Sequence, residues 1–199
     1  MSKEPLPAPS RRIGAMKATP TAIEGVLVIE PQVYADARGF FFESFNEQAF
    51  AATLGERVAF VQDNHSRSAR GVLRGLHWQL PPHAQGKLVR VGHGEVFDVV
   101  ADIRADSPTF GRWVGITLNG DNHLQVWIAP GLAHGFLVLS ESADLLYKAT
   151  DYYAPSLERA IRWDDPDLAI AWPDLGLAPI VSPKDAAGLS LAALRERRG

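Results

Sequence analysis

An all-β jelly roll with short peripheral helices is the fold that this sequence predicts, and three observations carry the expectation. Short runs rich in β-branched and aromatic residues recur at near-regular spacing through the middle of the chain. Turn chemistry separates them, at 92–94, at Asn119-Gly120 and at Pro130-Gly131. Helical signals are confined to two places. Many short strands with few helices must bury one sheet face against another, which gives a sandwich or a small barrel.

In chain order, strands are expected at 26–29, 40–45, 72–78, 87–91, 96–103, 113–118, 125–128, 135–139 and 145–149. Asn119-Gly120 reads as a two-residue hairpin turn, while Pro130-Gly131 and 92–94 mark other reversals. Helices are expected at 46–54, closed by Gly55, and from about 190 to 197. Residues 1–15 hold three prolines, mixed charge and no apolar stretch of signal-peptide length, and read as a disordered leader. Residues 16–199 then form one domain, with no internal repeat and no linker.

Composition bounds the function. With 199 residues, 46% hydrophobic and 22% charged, the chain can bury a sizeable core. It has no cysteine, which removes disulfide frameworks, thiolate zinc sites and a cysteine nucleophile, and makes a cytoplasmic setting the default. No apolar run is long enough to span a bilayer, so no membrane partner is expected. A formal net charge of -3 argues against nucleic acid, whose binders neutralise many phosphates. That charge is unevenly spread. Between Asn64 and Gly94 there is no Asp or Glu, yet the window holds Arg67, Arg70, Arg74, Lys87 and Arg90, with His77 and His83 between Arg74 and Lys87. Such a patch suits a small anionic ligand.

Several separate segments carry a family resemblance: FVQDNHSRSARGVLRGLHWQLPPHAQGKLVRV at 60–91, SPTFGRWVG at 107–115, PGLAHGFLVLS at 130–140, LLYKATDYYAP at 145–155 and SPKD at 182–185. In type, order and spacing they resemble the dTDP-4-dehydrorhamnose 3,5-epimerases, over roughly residues 16–191. The resemblance implies a double-stranded β-helix (cupin) jelly roll, a homodimer, no cofactor and no metal, and a dTDP-4-keto-6-deoxyhexose substrate. Inverting C3 and C5 of a 4-keto sugar needs a base for the α-proton, stabilisation of the enolate, and an acid on the opposite face. By resemblance His77 is the proton acceptor, Asp185 its partner, Tyr147 the proton donor, and Lys87 steadies the enolate oxygen. Arg74 matches the pyrophosphate-contacting arginine. Arg38, Phe41, Glu43, Gln62, Asn64, His134, Glu158 and Lys184 match further substrate contacts, some of which would come from the dimer partner.

Each assignment has a plainer rival. His77, beside Leu76 and Trp78, could be a hydrogen-bonded core histidine. Ser182-Pro183-Lys184-Asp185 also fits a helix-start capping box, although Gly188 weakens a helix there. Tyr147 shares a strand face with Leu145 and Ala149, where tyrosines often pack in cores. Glu158, Arg38 and Lys184 could be surface charge, and Arg67 and Arg70 are expected on a solvated loop. Arg74 and His77, three apart, would point to opposite faces of a regular strand unless Gly75 marks a bulge.

The chain departs from the family pattern at Trp78, where tyrosine is common, at Ala129 (proline) and at Leu132 (phenylalanine). Trp78 adjoins the base, so the expectation is that stereochemical outcome or substrate breadth could differ, as in a mono-epimerase. Two other classes compete. Metal-dependent cupins share the fold, but they want a His-x-His pair and a carboxylate where this chain runs His77-Trp78-Gln79. A non-catalytic sugar-nucleotide binder would keep Arg74 without needing His77, Tyr147 and Asp185 together.

Overall fold

Alternation decides which side chains meet. Along residues 87–91, Val89 and Val91 fall on one strand face and Leu88 on the other, and the two faces end in different apolar clusters. The computed structural model describes residues 16–196. The proposed leader at 1–15 and the end of the C-terminal run, Arg197, lie outside the described residues.

The strands are β1 (Met16–Pro20), β2 (Val26–Pro31), β3 (Tyr34–Asp36), β4 (Gly39–Phe41), β5 (Gln62–Ala69), β6 (Val72–Gln79) and β7 (Lys87–His93). Then follow β8 (Glu95–Ala101), β9 (Trp113–Asn119), β10 (Gln125–Ile128), β11 (Ala133–Val138), β12 (Ser142–Ala149), β13 (Glu158–Ala160) and β14 (Ile180–Val181). One sheet has the order β1-β2-β10-β7-β12-β5, the other β13-β6-β11-β8-β9, with β14 parallel to β6. From β5 to β12 the chain changes sheet at every step except β8 to β9, which pair as neighbours. That alternation winds one double layer, the cupin form of the jelly roll. The chain reversal at 92–94 is one such crossing.

Asn119-Gly120 behaves differently from expectation. β9 and β10 lie in different sheets, so no hairpin forms there. The Asn119 side chain instead accepts the N–H groups of Asp121 and Asn122, and the Asn122 side chain those of Asn119 and Leu124. An asparagine pair therefore turns the chain across the edge of the sandwich.

Three apolar clusters hold the layers. Val89, Val91, Val126, Ile128 and Leu145 from one sheet meet Val96, Val100, Leu118, Phe136 and Val138 from the other. Outside the second sheet, Leu76, Trp78, Val99, Ala101 and Ile103 are covered by Ile161, Leu168 and the helix α3 (Leu191–Glu196). Outside the first, Ile29, Leu88 and Trp127 pack on Phe50 of α1 (Glu47–Leu54). α1 begins where Asn46 accepts the Ala49 N–H and ends at Gly55 with φ 78°, as its flanking residues predict.

Candidate active site

The base end of the site depends on one inserted residue. His77 pairs with His134 across β6 and β11, but Arg74 pairs with Phe136, so three steps on β6 match two on β11. Gly75 takes up the extra residue. Its φ is 118°, and a Cβ there would lie 2.5 Å from the Gly135 Cα and 2.7 Å from the His134 carbonyl oxygen. The bulge puts Leu76 and Trp78 into the outer cluster and leaves Val72 packed on the inner one. His77 thus shares the inner side with Arg74. Trp78, although adjacent in sequence to His77, points into the layer behind the sheet, which removes the reason to expect it to alter the stereochemical outcome.

The His77 Nε2 lies 2.5 Å from Asp185 Oδ1, and Asp185 Oδ2 accepts the Gly75 N–H at 3.4 Å. Asp185 sits in the single turn α2 (Pro183–Ala186), whose N-cap Ser182 accepts the Asp185 N–H. Helix start and histidine partner, the two readings of this segment, are both realised: the backbone of Asp185 is capped while its carboxylate reaches away. Burial alone would push that carboxyl up, but the hydrogen bond and charge of His77, together with the Gly75 N–H and Ser182, outweigh it and hold it below its ordinary range.

The facing wall comes from the first sheet. Tyr147 on β12 packs against the inner cluster, with the Lys87 ammonium 5.9 Å from its ring centroid. Burial, helped by the charge of Glu158 and opposed by Arg74, pushes the Tyr147 phenol up. Burial lowers Lys87 to about 8, with Glu158 and Asp98 pulling the other way. Asn64 is directly opposite Tyr147 in the β5–β12 pairing and accepts from the Gln62 amide at 2.9 Å. Glu158 on β13 accepts from Lys184 and from the Tyr153 hydroxyl. The Arg74 Nε donates to Ser68 Oγ, and no acidic partner engages it among the described residues. His134 is buried with its Nε2 2.7 Å from Asp98 Oδ2.

The structure therefore brings together His77, Asp185, Lys87, Tyr147, Arg74, Gln62, Asn64, His134, Glu158 and Lys184. It leaves Arg38, Phe41 and Glu43 elsewhere. Arg38 pairs with Asp36 on the exposed β3–β4 arm, Phe41 is 62% exposed, and Glu43 accepts from Asn46. Arg67 is on strand β5, not on a loop, and its guanidinium grips Asp144 at 2.6 and 2.7 Å. The basic window is thus partly neutralised by acids from distant segments, with His83 likewise on Asp151 at 3.1 Å. Two residues escaped the sequence reading. Tyr153 follows the strand that carries Tyr147, as half of an exposed aromatic pair before a proline. Asp98 is a lone carboxylate inside the apolar run of β8, and that interruption was its signal. Among the described residues, no group of three or more His, Asp or Glu is placed to hold a metal.

A profile of the dTDP-4-dehydrorhamnose 3,5-epimerases matches residues 20–193. The enzyme of that name from Pseudomonas aeruginosa is 59% identical over 177 residues, covering 89% of this chain and 97% of its own. That from Escherichia coli K12 is 56% identical over 171 residues, covering 85% and 91%. Among solved structures, the Legionella pneumophila epimerase in complex with dTDP-4-keto-L-rhamnose is 54% identical, with a TM-score of 0.86 over 89% of this chain and 94% of that one. The 3'-monoepimerase ChmJ of Streptomyces bikiniensis is more distant in sequence, at 37% identity, with a TM-score of 0.85 over 90% of each chain. With the profile spanning most of the domain and relatives above 50% identity along nearly their whole length, the chain belongs to the dTDP-4-dehydrorhamnose 3,5-epimerase family of isomerases.

Proposed function

We propose that His77 is the base and Tyr147 the acid in a 3,5-epimerisation of dTDP-4-keto-6-deoxy-D-glucose to dTDP-4-keto-L-rhamnose. The observation that carries the reading is His77 on one sheet, held by Asp185 of α2, set against Lys87 and Tyr147 on the other sheet. His77 takes the proton α to the 4-keto group, and Asp185 stabilises the imidazolium that forms. The C4 oxygen gains negative charge as the enolate develops, and the Lys87 ammonium is the cation that meets it. The raised phenol of Tyr147 keeps its proton at neutral pH and returns it from the opposite face. The 4-keto group activates C3 and C5 alike, so one such set serves both, and the chemistry calls for no redox cofactor. Arg74, with no acid of its own, takes the pyrophosphate, and the solved relative with a bound dTDP-sugar supports that ligand class.

The proposed assembly is a cytoplasmic homodimer whose β3–β4 arm reaches the partner's cavity with Arg38, Phe41 and Glu43. The arm is a sheet of two strands with Tyr34, Phe40 and Phe41 all exposed, an apolar surface that a single chain leaves uncovered. Mixing inactive His77→Ala and Arg38→Ala subunits then restores one intact site per heterodimer. Recovered activity supports the exchange, and no recovery contradicts it. For the chemistry itself, His77→Ala abolishes exchange of substrate α-protons with solvent, by about 10³-fold or more, while dTDP affinity stays within a few-fold. Arg74→Ala does the reverse in emphasis, weakening dTDP binding first. Near wild-type exchange in His77→Ala would remove the base from the mechanism.

A further inference from the structure

Asp98 is fully buried, and only one of its two oxygens has a partner: Oδ2 lies 2.7 Å from His134 Nε2, while Oδ1 makes no hydrogen bond among the described residues. An anion stripped of water with half its acceptor capacity unused is costly, and a neutral side chain of the same shape would fold more easily. The residue stands on β8 between Val96 and Val100, on the face turned toward the space between the sheets. Behind it the strand contributes Phe97, Val99 and Ala101 to the outer apolar cluster.

We infer that Asp98 is a positioning residue: acting through His134 and Lys87, it sets the polarity of the wall on which the enolate oxygen rests. This deepens, and rests on, the reading of His77 as base and Lys87 as enolate partner. The carboxylate faces Nε2 of His134, so that nitrogen carries a proton and the ring is held in one orientation, leaving Nδ1 as the atom that meets a ligand. Its effect on Lys87 is through space. Burial works against the ammonium, and the negative charges of Glu158 and Asp98 work for it. The ionisable groups of this cavity come from both sheets and from the segments beside them: Arg74 and His77 on β6, Lys87 on β7, Asp98 on β8, His134 on β11, Tyr147 on β12 and Glu158 on β13, with Tyr153 after β12 and Lys184 and Asp185 on α2. Of the two anions that sustain Lys87, Glu158 is already engaged by Lys184 and Tyr153, whereas Asp98 keeps an oxygen free of any hydrogen bond among the described residues.

The test is Asp98→Asn, whose amide oxygen can still accept from His134 Nε2 but which carries no charge. With dTDP-4-keto-6-deoxy-D-glucose the expected result has three parts: kcat falls about 10–100-fold, dTDP affinity is unchanged, and melting temperature does not drop. The alkaline limb of kcat/KM also moves to lower pH, because Lys87 loses one of the charges that keep it protonated. His134→Gln, which retains the Asp98 charge, lowers the rate and leaves that limb where wild type has it; should Asp98→Asn not fold, a limb displaced in His134→Gln would contradict the inference by itself. A merely structural Asp98 predicts a lower melting temperature with an unmoved pH profile, and that result would overturn the proposal. Wild-type protein that exchanges no α-protons would sink the epimerase reading itself. Normal wild-type exchange with an indistinguishable Asp98→Asn would remove only the present inference.

Discussion

Asp98 and Asp102 stand four residues apart with fully buried side chains, and their surroundings are opposite. Asp102 opens the loop between β8 and β9 and accepts from the Arg104 N–H, Nε and Nη2, from Ser107 Oγ at 2.5 Å and from Thr109 Oγ1 at 2.6 Å. Burial alone would push its carboxyl up, but the hydrogen bonds of Arg104, Ser107 and Thr109 outweigh that and hold it far below the usual carboxylate range. Asp98 has, among the described residues, one bond and a bare oxygen. The comparison teaches where this protein spends stability: a buried anion with every lone pair engaged locks a loop, and one left half satisfied lies at the cavity. It also assigns the Ser107-Pro108-Thr109-Phe110-Gly111 motif. Its hydroxyls hold Asp102, and Gly111, at φ 78°, donates its N–H to the Asp102 carbonyl, so the motif builds a loop and not the site.

The sharpest way to break that contrast is Lys87→Met. Removing the cation proposed to meet the enolate should cost about 10²–10³-fold or more in turnover, yet it also removes a charge that burial disfavours. Lys87 titrates near 8 in the folded chain and near its ordinary 10.5 when unfolded, so the unfolded state holds the extra proton between those values. Wild-type stability therefore rises with pH from about 8 to 10.5. Lys87→Met has the higher melting temperature at pH 7, and the gap narrows toward pH 10. The same titration makes wild-type turnover fall as pH rises through about 8. A Lys87→Met protein less stable than wild type at pH 7 would contradict the assignment of a strained, functional ammonium.

Asp102→Ala is the converse case. Stranding Arg104 and two hydroxyls costs about 3–5 kcal/mol of stability, read as a melting temperature lower by roughly 10 °C or more. The kcat of the protein that remains folded stays within a few-fold of wild type. A fall in kcat comparable to that of Lys87→Met would erase the distinction between loop and wall. The smallest effect is expected from Trp78→Tyr. The indole lies in the outer cluster with its Nε1 buried and without a hydrogen-bond partner among the described residues, so the change is a repacking behind the sheet. It should cost at most about 1–3 kcal/mol and leave the ratio of C3 to C5 inversion unaltered, as measured from the sugar products.

How far the residues alone disclosed this depended on which face a strand shows to what. β7, β9, β10 and β12 were legible because their inner faces are largely apolar, and β2 and β6 because their outer faces are, through Leu27 and Ile29 and through Leu76 and Trp78. β5 was not, because Asp63, His65 and Arg67 alternate with Asn64, Ser66 and Ser68, and neither set looks like a core. Its inner face meets the polar cavity, so polarity there marks the site and hides the strand. The expected strand at 40–45 shrank to Gly39–Phe41, because that arm pairs only with β3. Asn119-Gly120 has the composition of a hairpin turn, but local composition does not say which sheet the next strand joins. The bulge at Gly75 was inferable from the need to face Arg74 and His77 the same way. The placement of Arg38, Phe41 and Glu43 was not, because the β3–β4 arm is a two-stranded sheet of its own and neither residue type nor spacing says that it stands apart from the sandwich.

The most direct measurement of the central claim is isotopic. Incubated in deuterated water with dTDP-4-keto-6-deoxy-D-glucose and trapped by an NADPH-dependent 4-ketoreductase, wild-type protein should yield dTDP-L-rhamnose carrying deuterium at both C3 and C5. His77→Ala under the same conditions should leave both carbons in protium. Deuterium at one carbon only, or label retained at both in His77→Ala, would contradict an account in which a single base and a single acid facing each other across the sandwich invert both centres.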